Sequence, residues 1–171
     1  MRDDVHVDRL RPEEWPRLRA LRLRALSDSP DAFASTLERE RAFDDALWQT
    51  RAADTPYFVA RSGGELVGML AVLAAFPPDE DSGAVVGEGD LEVLSMWVDP
   101  EHRRHGVGSK LLDEAVVYGR STGASALCLW VADGNASAVS FYESAGFERT
   151  GGHQKMPRSA AREEHQLRRP L

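Results

Sequence analysis

The stretch that decides the fold lies at residues 98–109 and reads Val98-Asp99-Pro100-Glu101-His102-Arg103-Arg104-His105-Gly106-Val107-Gly108-Ser109. It follows a β-type run and precedes apolar residues at helical spacing, so it predicts a strand, a basic turn and a helix N-terminus. Glycines allow close backbone approach, and the first helical turn presents free N–H groups at the positive end of the helix dipole. The turn therefore favours an anion, pyrophosphate above all. The alternative is a surface turn whose glycines only begin the helix.

Two common phosphate motifs do not fit this turn. A P-loop needs Gly-Lys-Ser/Thr after a four-residue spacer, whereas the order here is Gly108-Ser109-Lys110. A dinucleotide fingerprint needs a third glycine where this chain has Leu111. Arg103 and Arg104 supply counter-charge for an anion, and Lys110 is a further candidate.

Hydrophobic periodicity on either side of the turn gives the remaining elements. The predicted helices cover 12–27, 36–53, 106–121 and a segment through 138–145. The predicted strands cover 57–61, 66–74, 90–98 and 126–131, with one or two more in the tail 147–171. Ser62-Gly63-Gly64-Glu65 predicts a hairpin turn between the first two strands. The order α-α-β-β-β-α-β-α-β predicts an α/β fold of mixed α+β type, with a central mixed, twisted sheet flanked by about four helices. We expect residues 1–171 to form a single domain, since no linker or internal repeat interrupts them.

Composition narrows the class of protein. The chain of 171 residues carries a net charge of −7, which counts against a nucleic-acid binder because phosphate contacts need a basic face. No stretch approaches the roughly 18 apolar residues of a membrane span, and a secretory signal is not expected because the first residues lead into no apolar run. These features predict a cytoplasmic protein, and the preference for arginine over lysine suggests a GC-rich bacterial genome. Cys128 lies in an apolar run and is expected to be a small buried hydrophobe rather than a nucleophile.

A second motif follows the strand that ends near residue 131. It comprises Asn135 and the group Phe141-Tyr142 followed by Gly146-Phe147. Together with the turn at 98–109, it resembles the GNAT superfamily of acetyl-CoA-dependent N-acetyltransferases. The family's pyrophosphate motif, Arg/Gln-x-x-Gly-x-Gly/Ala, matches Arg103, Gly106 and Gly108, and the resemblance covers about residues 90–151.

The resemblance implies acetyl-CoA as cofactor and an acyltransferase activity. It implies these cofactor-binding residues: Met96, Trp97, Val98, Arg103, Arg104, His105, Gly106, Val107, Gly108, Ser109, Asn135 and Tyr142. Backbone N–H groups of Trp97 or Val98 would stabilise the developing oxyanion and pair with the pantetheine arm. Asn135 also has an ordinary role available, as the N-cap of a helix. No metal is expected, because the histidines show no metal-ligand spacing and are expected at the surface.

Acetyl transfer to an amine needs a proton acceptor, because an alkyl ammonium with a pKa of about 10.4 is almost fully protonated at pH 7. Glu92 is the candidate base, on the strand before the cofactor motif; Glu88, Asp90 and a chain of waters are alternatives. Period-two alternation places Glu92, Leu94 and Met96 on one face unless a β-bulge intervenes. Tyr142 matches the family's general acid for the leaving thiolate; its alternative role is a core residue of an apolar helix face.

The expected acceptor is a primary amine on a small molecule or a peptide. Acidic residues are dense at 38–45 and 79–90 and would attract a cation, although a solvated charged face is an equal explanation. No nucleic acid or membrane partner is expected, and a homodimer is expected only by analogy with relatives. The alternative function is a non-catalytic acyl-CoA-binding sensor or interaction module on the same fold.

Overall fold

The computed structural model of this chain describes residues 4–159 and 161–171. Its helices are α1 (Trp15–Asp28), α2 (Leu37–Arg41), α3 (Asp45–Asp54), α4 (Val107–Thr122) and α5 (Ala136–Ser144). Its strands are β1 (His6–Arg9), β2 (Tyr57–Ser62), β3 (Glu65–Ala74), β4 (Leu91–Val98), β5 (Ala126–Ala132), β6 (Glu148–Lys155) and β7 (Glu163–Pro170). Short 3-10 turns precede α1 and follow β4. The predicted mixed α/β class is therefore confirmed.

The strand order is β1-β2-β3-β4-β5-β7-β6. The pair β4/β5 is parallel, as expected for strands joined by a helix. The pairs β1/β2, β2/β3, β5/β7 and β6/β7 are antiparallel. The predicted turn between β2 and β3 is confirmed: Gly63 and Gly64 have φ of 54° and 86°, the left-handed values that a two-residue hairpin loop requires.

Two elements differ from the prediction. Strand β1 was not predicted, because its four mostly exposed residues carry too short a pattern to indicate a strand. Its register with β2 begins at His6↔Arg61. The single helix predicted over 36–53 is two helices, because each has its own N-cap. The Thr36 hydroxyl accepts from the backbone N–H of Arg39 at 3.2 Å, and the Asp44 carboxylate accepts from that of Leu47 at 2.8 Å.

The chain groups into two compact units, each discontinuous in sequence. The first comprises the described part of 1–72 together with 95–115, and the second comprises 73–94 and 116–171. The prediction of a single domain over 1–171 therefore remains an expectation. Within the first unit α4 lies tightly against β3 at Gly68, where an added Cβ would lie 3.2 Å from Cδ1 of Leu111 and 3.2 Å from the carbonyl oxygen of Trp97.

The second unit has a sheet with two different faces. On one face Leu127, Leu129 and Leu167 are buried. Helix α5 belongs to this face, because Arg169 of β7 donates to the carbonyl of Ala145 at 2.8 Å. The other face carries polar side chains, which the cross-strand registers place in rows: Glu92↔Cys128↔Arg168, Trp130↔Gln166 and Ala132↔Glu164↔Gln154.

Candidate active site

The turn after β4 has the backbone that the sequence predicted. A 3-10 turn covers Pro100–His102, and α4 begins at Val107. Gly106 has φ of 78°, and no atom lies within 4 Å of the position of an added Cβ, so this point of the backbone is open to close approach. The N–H groups in the first turn of α4 have no acceptor within the helix. The backbone of the turn is therefore open at Gly106, and pyrophosphate binding there stays a prediction.

The basic side chains of the turn are engaged more than the sequence suggested. Arg103 donates from Nε to the carbonyl of Val98 at 2.8 Å and from Nη2 to Asp28 at 2.5 Å. Lys110 donates to the carbonyl of Val5 at 2.6 Å. Both cations thus bind groups of the protein itself, namely two backbone carbonyls and the Asp28 carboxylate. Arg104 and His105 are exposed, and Arg104 adopts φ of 63°.

Asp28 has a role next to the turn that the sequence did not predict. Its carboxylate accepts hydrogen bonds from Ser29 at 2.6 Å and from Nε1 of Trp97 at 3.0 Å, in addition to Arg103. The Ser29 hydroxyl, the Trp97 indole and the Arg103 guanidinium together hold the pKa of Asp28 below its usual value. No local signal could have revealed the link to Trp97 and Arg103, because these two partners lie 69 and 75 positions away in the sequence.

The strand β4 does not keep a regular alternation. Ser95 has φ of 57°, which is left-handed for a non-glycine residue and interrupts the pleat between Leu94 and Met96. The sequence placed Met96 on the face of Glu92 only if the alternation of β4 was regular, and Ser95 breaks that regularity. Arg22 of α1, which is buried, donates to the Ser95 hydroxyl at 3.3 Å.

Glu92 is half-buried on the polar face of the second unit. Burial raises the pKa of its carboxyl, the charge of Glu164 raises it further, and a hydrogen bond from the backbone of Phe76 opposes both. A carboxylate with a raised pKa is a stronger base than a solvated one. The described register between β4 and β5 consists of Leu91↔Leu127 and Glu92↔Cys128.

Of the alternative bases, Asp90 is committed to a structural role. It is 2% exposed, accepts from Arg168 at 3.0 Å and accepts from the backbone N–H of Gly87 at 2.8 Å. Glu88 is exposed. The predicted burial of Cys128 is confirmed, and burial raises the pKa of its thiol to about 12, so it is not a thiolate at neutral pH.

Tyr142 lies in α5 and is 9% exposed. Its ring is 5.2 Å from that of Phe141 and 5.8 Å from that of Phe147 between centroids. Burial raises the pKa of its phenol above the ordinary value, so the hydroxyl keeps its proton at neutral pH. Both roles considered from the sequence, core packing and a proton donor, are compatible with this position.

Asn135 is the N-cap of α5. Its side-chain oxygen accepts from the backbone N–H of Ala138 at 3.3 Å, which confirms the capping role. Contact with a pantetheine arm stays a prediction.

His153 is exposed, as the sequence predicted, whereas His165 is half-buried, and both contact the carboxylate of Asp133. Nε2 of His153 lies 2.8 Å from one carboxylate oxygen of Asp133, and Nδ1 of His165 lies 2.9 Å from the other. Glu163 joins them, since donor atoms of Asp133, His153 and Glu163 lie within 4.8 Å of one another. The cross-strand pair His153↔His165 explains the cluster, and sequence spacing alone could not reveal it.

Comparison with known proteins decides the family. A model of the acetyltransferase (GNAT) family matches residues 15–147, which include the turn at Gly106 and the helix of Tyr142. The chain belongs to the GNAT acetyltransferase family. The resemblance inferred from the two motifs is thereby confirmed.

Relatives of known sequence include other acetyltransferases. Mycothiol acetyltransferase of Thermobispora bispora is 32% identical over 130 residues, which is 76% of this chain and 41% of that protein. N-alpha-acetyltransferase RimI of Mycobacterium tuberculosis is 32% identical over 115 residues, 66% of this chain and 65% of that protein. The chain spans about two fifths of the length of the first curated relatives it matches.

Solved structures show the same fold. A ribosomal-protein-alanine N-acetyltransferase from Brucella melitensis aligns with a TM-score of 0.70 at 23% identity, covering 97% of this chain and 99% of that one. A protein from Salmonella typhimurium, solved with its cofactor acetyl-CoA, aligns with a TM-score of 0.74 at 17% identity, covering 98% and 94%. None of the helices in the described part of the chain is long and apolar enough to cross a membrane.

Proposed function

We propose that this chain moves the acetyl group of acetyl-CoA to a primary amine by direct attack in a ternary complex. The observation that carries the proposal is Glu92: a half-buried carboxyl with a raised pKa on the strand before the anion-binding turn. GNAT membership and the open backbone at Gly106 support acetyl-CoA as the acetyl donor. Acetyl-CoA supplies a thioester, whose carbonyl carbon is the electrophile.

Glu92 acts as the base. The amine must lose a proton to attack the carbonyl carbon, and the Glu92 carboxylate takes that proton directly or through one water. A carbon–nitrogen bond forms and the carbon–sulfur bond breaks, so the electron pair leaves on sulfur. Backbone N–H groups of Trp97 or Val98 stabilise the negative charge that develops on the carbonyl oxygen.

Tyr142 acts as the acid that protonates the leaving thiolate. Its raised pKa keeps the proton available at neutral pH. Helix α5 and Glu92 belong to opposite faces of the sheet in their unit, so the acid and the base act from different sides.

The proposed cofactor contacts divide into two groups. Val107, Gly108 and Ser109 offer backbone N–H groups to the pyrophosphate, and Arg104 and His105 stand exposed beside them. Met96, Trp97 and Val98 contact the pantetheine arm, and so do Asn135 and Tyr142. Arg103 contributes by fixing Val98 as well as by its charge.

The test is release of free thiol from acetyl-CoA in the presence of a broad panel of amines. Thiol release with at least one amine, and an acetylated product identified by mass spectrometry, supports the proposal. Measurable acetyl-CoA binding without thiol release for any amine would favour a non-catalytic sensor. Gly108→Leu should weaken acetyl-CoA binding about tenfold or more by blocking backbone approach; unchanged affinity would contradict the pyrophosphate site.

The remaining expectations are kept as predictions. They are a cytoplasmic location, a bacterial source, a homodimeric state, and an acceptor that is a small molecule or a peptide. Size-exclusion chromatography with light scattering measures the oligomeric state directly.

A further inference from the structure

The polar face of the second unit holds two carboxylates on either side of an aromatic ring. Glu92 lies in the row of Cys128, Trp130 lies two residues further along β5, and Glu164 lies in the row of Ala132. Because residues two apart on a strand share a face, these side chains all project to one side of the sheet. Glu92 and Glu164 flank β5 on opposite sides.

Glu164 is unusual for a glutamate because it is only 7% exposed. Its Oε1 accepts a hydrogen bond from Nε2 of Gln154 at 2.9 Å. Burial raises the pKa of its carboxyl, hydrogen bonding and the charge of Arg162 lower it, and the charge of Asp133 raises it further. A carboxylate that is desolvated and near other negative charges gains more from an added cation than a solvated one does.

Trp130 separates the two carboxylates and is only partly buried, whereas five of the other six residues of β5 are buried. The row neighbour Gln166 is covered, because its amide exchanges two hydrogen bonds with the backbone of Val85, at 2.8 Å and 3.1 Å. The loop between β3 and β4, which contains Val85, thus fixes Gln166. Part of the Trp130 side chain stays accessible. The face of an accessible tryptophan attracts an organic cation.

We propose that Glu164 and Trp130 bind a second positive group of the acceptor, so that the preferred acceptor is a linear organic dication rather than a monoamine. This inference rests on the proposed function, in which the reacting nitrogen lies at Glu92. The rows of Cys128 and Ala132 are four residues apart, or about 13 Å along the strand, and two glutamate side chains that lean inward shorten that span. An acceptor with two nitrogens separated by several methylene groups spans the distance that remains between the two carboxylates.

The test compares cadaverine, a five-carbon diamine, with n-pentylamine, which has the same chain and one nitrogen. The wild-type protein should show kcat/KM about tenfold higher for cadaverine, and Glu164→Gln should remove that preference. Ethylenediamine should gain little, because its two nitrogens lie too close to span the site. Trp130→Leu should lower the cadaverine preference by several-fold.

The matched control is Glu163→Gln. Glu163 is the adjacent residue of β7, is exposed, and projects to the opposite face. This variant should keep the cadaverine preference. The inference is overturned if the wild-type protein shows no preference, or if Glu164→Gln lowers kcat/KM equally for both amines, as a purely structural role would.

A binding experiment separates failure of this inference from failure of the proposed function. A five-carbon bis-trimethylammonium compound cannot be acetylated, and its binding is followed by quenching of tryptophan fluorescence. Binding weakened about tenfold by Glu164→Gln and unaffected by Glu163→Gln supports the dication site even if no amine is acetylated. Equal binding to all three proteins, or none to any, overturns it.

Discussion

The indole Nε1 of Trp97, in β4, donates a hydrogen bond of 3.0 Å to the carboxylate of Asp28, the last residue of α1. The same carboxylate oxygen accepts from Arg103. One side chain thus fixes the end of β4 and the start of the turn that we propose binds an anion. Arg103 completes the arrangement by holding the carbonyl of Val98.

Asp28→Asn should therefore weaken acetyl-CoA binding, although we expect Asp28 to act through Trp97 and Arg103 and not by contact with the cofactor. The amide keeps the shape but loses the charge-assisted bond to Arg103, which is worth about 1–3 kcal/mol. We expect the KM for acetyl-CoA to rise several-fold while kcat changes less. Asp54→Asn, at the exposed end of α3, is the control and should leave KM unchanged. A KM equal to wild type in both variants would contradict the positioning role.

Glu92→Gln should lower kcat/KM by about 100-fold, the low end for a positioned general base. In the wild-type protein kcat/KM should rise with pH through the pKa of Glu92, since only the carboxylate accepts a proton. That pKa lies above the ordinary glutamate value, because burial and Glu164 raise it. The increase of kcat/KM with pH (the rising limb of the profile) should vanish in Glu92→Gln. Glu88→Gln, at an exposed position, should retain the limb; its loss there would assign the base to Glu88.

Tyr142→Phe should lower kcat by about 100-fold and leave the dissociation constant of acetyl-CoA nearly unchanged. Removing one hydroxyl keeps the ring contacts with Phe141 and Phe147, so the free energy of unfolding should change little. Single-turnover thiol release and calorimetric binding measure the two effects separately. Wild-type turnover in Tyr142→Phe would remove the phenol from the mechanism.

Glu40→Ala should destabilise the protein by about 3–5 kcal/mol, the cost of leaving buried cations without their partner. Glu40 is 1% exposed and pairs with Arg22 at 2.8 Å and Arg51 at 3.0 Å. Urea unfolding measures the change. Glu38→Ala, on the exposed side of α2, is the control and should cost much less. Similar midpoints for the two variants would contradict the pairing.

The same carboxylate makes stability depend on pH. Although burial opposes it, hydrogen bonding and charge from Arg22 and Arg51 lower the pKa of Glu40 from 4.5 to about 2. Because the folded pKa is depressed, its stabilisation is present above about pH 4.5 and is lost as the pH falls toward 2. Urea midpoints measured between these values should fall for the wild-type protein and fall less for Glu40→Ala.

Local patterns predicted most elements of the fold. The buried run Leu127–Leu129 marked β5, and Gly63-Gly64 marked the hairpin, because each signal is contained within a few residues. The split between α2 and α3 was missed because apolar spacing continues across it, while the Asp44 side chain starts a new helix. β1 was missed because its four residues depend on pairing with β2.

The sequence by itself determined the family and the residues of its two motifs. The motif residues at the turn of Gly106 and in the helix of Tyr142 lie at short, fixed separations along the chain. Only the tertiary structure decided which of the other side chains serve them. It joined Asp28 to Trp97, committed Asp90 to Arg168, and placed Glu164 on the face of Glu92. Strand register and packing bring together residues that are distant in the chain, and a sequence read without relatives carries no signal for such pairs.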